Sequence, residues 1–298
     1  MRRGFTLIEL VIVIVVIGIL AKFGTNLLAT AYESYTSSTI NNRLQADTEL
    51  TLKQISNRLQ YRIKDSVIAR PGPVALASAT GNTYTTLEWI GYDIDGWLGL
   101  DNDAGFNSPT WSGFIDVNTT AAITAKTYLQ SPGTDTTDAN TVITAVSQGS
   151  TFADAAIFFT GANSDIQSDY GWTGALTDQS GAAHQVKAVA AVTQLAATGA
   201  TSFTGVDVYE NYKLAWTAYA VRIEDFDSDG GNDLVLYYDY QPWKGEGFAA
   251  GTKELLLENV DTFKFSASGD TIKVQICVNE QNTLGGGLYA ICKETAIF

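Results

Sequence analysis

Two hydrophobic patterns succeed each other at the start of the chain. From Phe5 to Ala21 nearly every residue is apolar, behind the basic pair Arg2 and Arg3 and with Glu9 as the only acid. Beyond it, from Thr25 to Arg70, there is neither glycine nor proline. Leu44, Leu52, Ile55, Leu59, Ile63 and Val67 recur there at three-, four- and eight-residue steps, with polar residues between them. That spacing marks one face of a helix. The pattern predicts a single helix from Phe5 to about Ala69, roughly 95 Å long, ended by Pro71-Gly72-Pro73. Its first half would face lipid or neighbours, and its second half would pack under a sheet.

After Pro73 the period changes from that of a helix to that of strands. Strands are expected at Thr85–Ile90, Ala156–Thr160, Leu214–Ile223, Leu234–Tyr240, part of Leu255–Phe265, Thr271–Val278 and Leu288–Ile291. The cleanest alternation sets Ile272, Val274, Ile276 and Val278 against Lys273, Gln275 and Cys277, with Ser268-Gly269-Asp270 as the preceding hairpin turn. The expected fold is α+β: a long N-terminal helix against an antiparallel β-sheet head at 71–298. Residues 118–205 are rich in Thr, Ala and Gly, and read either as an insertion between strands or as a small subdomain.

The apolar run is just long enough to cross a bilayer, and the basic pair ahead of it would stay cytoplasmic. Glu9 is then expensive, on the order of 2.5–3.5 kcal/mol at the membrane centre and less near an edge. A carboxylate in that position calls for a cationic partner at the same depth. The segment Gly4-Phe5-Thr6-Leu7-Ile8-Glu9-Leu10 with its apolar continuation resembles the signal of type IV prepilins and type II secretion pseudopilins. The resemblance implies a leader of residues 1–4, a helix at 5–70, and cleavage between Gly4 and Phe5 by prepilin peptidase. It further implies N-methylation of Phe5 and pairing of Glu9 with the Phe5 amine of a neighbouring subunit. A buried pair of that kind specifies register more than net stability. It places the chain as a single-pass protein of the bacterial inner membrane, its head in the periplasm, destined for a pilus or pseudopilus of like subunits. Many major pilins carry a proline near the position of Asn26, which this chain lacks. Leu255-Leu256-Leu257-Glu258-Asn259-Val260 with Phe263 and Phe265 is similar to J-type minor pseudopilins, as is the size of the chain. Two other readings of the N-terminus are an uncleaved signal anchor and a secretory signal cut at Ala29-Thr30-Ala31, leaving a chain that begins at Tyr32.

The remaining features narrow the function classes. A net charge of −14 and a pI near 4.4 argue against a nucleic-acid partner. Cys277 and Cys292 flank Gly285-Gly286-Gly287 at a spacing unlike a metal or redox motif. They read as one disulfide formed in an oxidising compartment, with two free thiols as the alternative. The loop Asp225-Phe-Asp227-Ser-Asp229-Gly230-Gly-Asn-Asp233 places oxygen ligands at alternate positions, as Ca²⁺ requires. It resembles the calcium loops of β-propeller repeats, with Asp225, Asp227, Asp229 and Asp233 as expected ligands; the alternative is a solvated acidic turn. Asp93-Ile-Asp95-Gly96 and Asp101-Asn102-Asp103 read as turns. No G-x-S-x-G, H-E-x-x-H or Walker A motif occurs, and His184 reads as a lone exposed histidine, so no enzyme activity is expected. The aromatic segments around Trp89 and around Tyr237–Trp243 read as sheet core rather than as a recognition surface.

Overall fold

A helix of 54 residues, α1 (Leu7–Gln60), leads into an entirely antiparallel β head. The computed structural model describes residues 6–81, 83–99, 108–122, 127–162, 164–198, 202–281 and 288–298. The expected α+β architecture is what the chain adopts.

The head is built on a six-stranded sheet of β1 (Ile68–Arg70), β2 (Val74–Ala75), β3 (Thr86–Gly91), β9 (Thr217–Glu224), β10 (Asp233–Tyr238) and β11 (Thr252–Leu257), ordered β11-β10-β9-β3-β1-β2. Successive side chains of a strand point to opposite faces, and here both faces are covered. Leu87, Trp89, Val221, Leu234 and Leu236 face α1 and a second, three-stranded sheet. Ile90, Ala218, Ala220, Val235 and Tyr237 face the opposite way, onto Phe158, Trp172 and Trp243. Double coverage explains why β3 and most of β10 are buried without polar alternation. Trp89, Tyr240 and Trp243 are fully buried, in keeping with a core role.

The three-stranded sheet is a meander of β12 (Val260–Ser268), β13 (Thr271–Gln281) and β14 (Leu288–Ile297). Val274, Ile276 and Val278 of β13 project together onto Leu44, Leu52, Ile55 and Leu59 of α1, one continuous core. Buried Thr48 fits this stripe because its hydroxyl donates to the Leu44 carbonyl at 2.6 Å.

Much of the region 118–205 packs around a further core that also draws on Trp111 and on Tyr212, Leu214 and Trp216. The strands β4 (Tyr128–Gln130), β5 (Ala156–Phe159), β6 (His184–Ala188), β7 (Gln194–Ala197) and β8 (Tyr212–Ala215) form a five-stranded sheet ordered β4-β7-β6-β5-β8. The helix α4 (Thr136–Val146) packs Ala139 and Ile143 into it, with Trp111, Leu129, Phe152 and Phe203. Asp135 caps α4 by accepting from the backbone N–H of Thr137 and Asp138. Two short helices, α2 (Ile94–Leu98) and α3 (Val117–Ala122), complete the regular elements.

Two expectations need correction. The helix stops at Gln60 instead of running to about Ala69 or 70. The chain at 61–63 pairs with the end of β3: Ile63 donates to the Ile90 carbonyl at 2.8 Å and Tyr92 donates to that of Tyr61 at 2.9 Å. Ile63 and Val67 continue the apolar spacing and are buried, but from a turn and the approach to β1, not from a helix. Pro71-Gly72-Pro73 therefore forms the link between β1 and β2. The second correction concerns Leu214–Ile223, read as one strand. It is β8 and β9, which belong to different sheets, and Trp216 is the joint between them.

Candidate functional site

The long helix divides by environment. Every residue from Leu7 to Tyr35 is exposed, about 44 Å of helix. It is the one helix among the described residues long and apolar enough to cross a membrane. At its start Thr6 and Glu9 close a capping box: the Glu9 carboxylate accepts from the Thr6 N–H at 3.0 Å and from the Thr6 hydroxyl at 2.9 Å. An acid in the first turn satisfies orphan donors and suits the positive end of the helix dipole. Gly4 and Phe5 lie outside the described residues.

Polar contacts rim the packed half where α1 meets β13 and β14. The Ser37 and Tyr289 hydroxyls are 2.6 Å apart, Arg43 pairs with Glu280, and Lys293 binds both Glu49, at 2.8 Å, and the Gln45 carbonyl. At the exit of the helix, Lys64 pairs with Asp270 at 2.9 Å and holds that carboxyl below the ordinary carboxylate range. Cys277 and Cys292 stand directly opposite one another in the β13–β14 ladder and are joined as a disulfide. The disulfide is the one expected from the sequence, whereas the hydroxyl pair and the ion pairs of the rim are not announced by any motif. Their only signal is the position of Arg43 and Glu49 beside the apolar stripe.

The acidic loop joins β9 to β10. Carboxylate oxygens of Asp225, Asp227 and Asp229 lie within 4.8 Å of one another, all exposed. Asp225 accepts from the Gly230 N–H at 3.1 Å and Asp229 from that of Gly231 at 2.6 Å. Ser228 and Gly230 take positive φ, 68° and 86°, which lets the loop fold back over its own carboxylates. Asp233 is not part of this cluster. It is buried at the start of β10 and accepts from the Phe226 N–H at 3.2 Å. A cluster of three exposed carboxylates is a hard-oxygen donor set suited to Ca²⁺, with the remaining ligands to come from backbone or water.

Of the smaller motifs, Asp93 caps α2 by accepting from the Gly96 N–H at 3.1 Å, and is buried against the Trp111 indole, which donates to it at 3.1 Å. Asp101–Asp103 and Gly285–Gly287 lie outside the described residues. His184, expected to be exposed, is buried on β6 beside Phe159, with ring centroids 5.0 Å apart. Burial pulls its pKa down to about 4, so it is neutral packing in a sheet that its Gly- and Ala-rich neighbours did not announce.

The chain thus carries an exposed helix of membrane-crossing length and composition, with a β head at its far end. Residues 1–21 match the family model of the prokaryotic N-terminal methylation motif, which supports a pilin-type signal for prepilin peptidase at this N-terminus. No curated protein and no solved structure matches the chain.

Proposed function

We propose that the chain is a minor pilin or pseudopilin subunit. Prepilin peptidase cuts between Gly4 and Phe5, the Phe5 amine is methylated, and the exposed half of α1 holds the protein in the bacterial inner membrane as a single pass, head in the periplasm. The subunit then joins a pilus or pseudopilus with other such subunits, Glu9 neutralising the Phe5 amine of its neighbour. Its work is structural: to prime, cap or decorate a filament. The observation that carries this reading is the methylation motif at 1–21 opening directly into a helical stretch, Leu7–Tyr35, that is exposed at every residue. Among the described residues the capping box engages only one oxygen of the Glu9 carboxylate, which leaves the other for this role. The J-type reading rests on Leu255–Val260 with Phe263 and Phe265 and on the size of the chain; Leu255–Leu257 end the edge strand β11 beside α1, the Thr51 hydroxyl donating to the Leu256 carbonyl at 3.2 Å.

Two measurements test it. Intact mass of the protein from its native host should correspond to a chain beginning at N-methylated Phe5; a start at Met1 or Tyr32 removes the assembly mechanism. Replacing Glu9 by Ala should abolish incorporation into filaments while leaving the head's melting unchanged. Persistent incorporation would remove the role given to Glu9 and favour the rival, an anchored calcium-dependent binding protein that does not polymerise.

The acidic loop we assign to Ca²⁺, held by Asp225, Asp227 and Asp229. Asp233 then supports the loop through the Phe226 N–H. Melting of the full-length protein in detergent should shift upward with millimolar calcium and return with EDTA, and Asp227→Asn should abolish the shift. Superimposable curves would leave the loop as a solvated turn.

A further inference from the structure

A cavity of about 360 Å³ opens where the exit of α1 meets the inserted unit. That volume lies in the range of small-molecule sites, which favour such seams between structural units. Its walls include Tyr92, Phe158 and Tyr170, the last two stacked with ring centroids 5.9 Å apart.

The charge of the lining runs against that of the whole chain. A protein with 32 acidic and 18 basic residues here presents three basic side chains, Arg62, Lys64 and Lys213, and one acidic side chain, Asp65, with Phe298 also in the wall. Two of the three cations are already engaged: Lys64 pairs with Asp270, and Arg62 donates to the Leu59 and Asp270 carbonyls. Lys213 is different. It stands opposite Phe158 in the β5–β8 ladder, so the two side chains leave the sheet on the same face. Its ammonium lies 4.4 Å from the Tyr92 ring centroid and 5.4 Å from that of Trp97, and it forms no ion pair among the described residues. Partial burial lowers its pKa, the mark of a cation that has lost water without gaining a counter-ion. Ring faces compensate only part of that loss, whereas an anion would add a charge-assisted hydrogen bond.

We infer that this cavity binds a small organic anion with a flat apolar body, its carboxylate or sulfonate on Lys213 and its ring among Tyr92, Phe158 and Tyr170. The inference stands independently of the filament reading.

The test is calorimetric titration of the full chain in non-ionic detergent with 2-naphthoate, and with neutral 2-naphthamide as its comparison. Naphthoate should bind saturably at one site, with naphthamide weaker by at least about tenfold, since it cannot meet the charge. Lys213→Met should weaken naphthoate by at least about tenfold as well, while Lys213→Arg retains it. Lys187→Met, on the exposed end of β6, should leave binding unchanged. Non-saturating uptake of naphthoate, equal affinity for the two probes, or unchanged binding in Lys213→Met would each overturn the proposal. The two-probe comparison on the unaltered chain decides the matter if Lys213→Met does not fold.

Discussion

The two halves of α1 share backbone geometry and differ in what surrounds them. From Leu7 to Ala21 the helix is apolar on every side but for Glu9, and it stays exposed as far as Tyr35. From Leu44 to Leu59 the apolar positions narrow to a stripe, and only that stripe is buried. A helix that is apolar all round must be buried by something outside its own chain, whereas one with a stripe completes its burial internally. One continuous element thus divides its tasks by solvent: the first half is made for lipid or neighbouring helices, the second is the spine of the head.

Substitutions should separate the halves sharply. Leu59→Ala, at a position with no exposure, is expected to cost the head about 2–5 kcal/mol in denaturant unfolding. Ile14→Ala in the free half should leave the same curve within about 0.5 kcal/mol. Comparable losses at both sites would mean that the head leans on the free half in some way the fold does not show. A somewhat smaller effect is expected at the rim: replacing Cys277 and Cys292 by serine opens a loop of 15 residues and should cost about 3 kcal/mol. Hydrogen exchange should then quicken in β13 and β14 and leave the free half of α1 unaltered.

The smallest net effect comes from two opposed groups, Asp93 and His184, among those through which pH acts on the head. Burial lifts the Asp93 carboxyl from 3.8 to about 6, so the folded head holds that proton more tightly than the unfolded chain does. The contribution of Asp93 to stability therefore falls as pH rises from about 4 to 6. His184 is pulled from 6.5 to about 4; the unfolded chain holds its proton more tightly, and its contribution rises over nearly the same window. Each is on the order of 3 kcal/mol, and the two largely cancel. Relative to the unaltered protein, stability should climb more steeply with pH in Asp93→Asn and less steeply in His184→Phe. Identical slopes in all three proteins would contradict the assignment.

What could be read from the sequence follows the same division. The free half of α1 was legible because membrane compatibility is a local property of composition, and the signal before it is a local string. The stripe at Leu44–Leu59 and the alternation of β13 were legible because each element has a single buried face. The helix end was misplaced because Ile63 and Val67 keep a helical spacing while their burial is set by β3, far along the chain. Strands β4, β6 and β7 carry no clear sequence signal because they are short and drawn from Thr-, Ala- and Gly-rich sequence, their pairing decided by tertiary contacts rather than propensity. At the acidic loop, spacing located the cluster but could not distinguish Asp233, whose place at the first residue of β10 turns it toward a backbone N–H.

The arrangement of α1 beside β14 has a mechanical consequence. Contacts advance together along both elements: Ser37 meets Tyr289, then Gln45 and Glu49 meet Lys293. The ten residues of β14 span about 34 Å, matching the roughly 33 Å of helix from Ser37 to Leu59. Tension applied to the free half of the helix therefore loads this seam in shear, so that its hydroxyl pair, ion pairs and apolar stripe resist at once instead of parting one by one. The head is coupled to its tether like a lap joint, and the cystine across β13 and β14 keeps the plate to which the tether is fixed from delaminating under load.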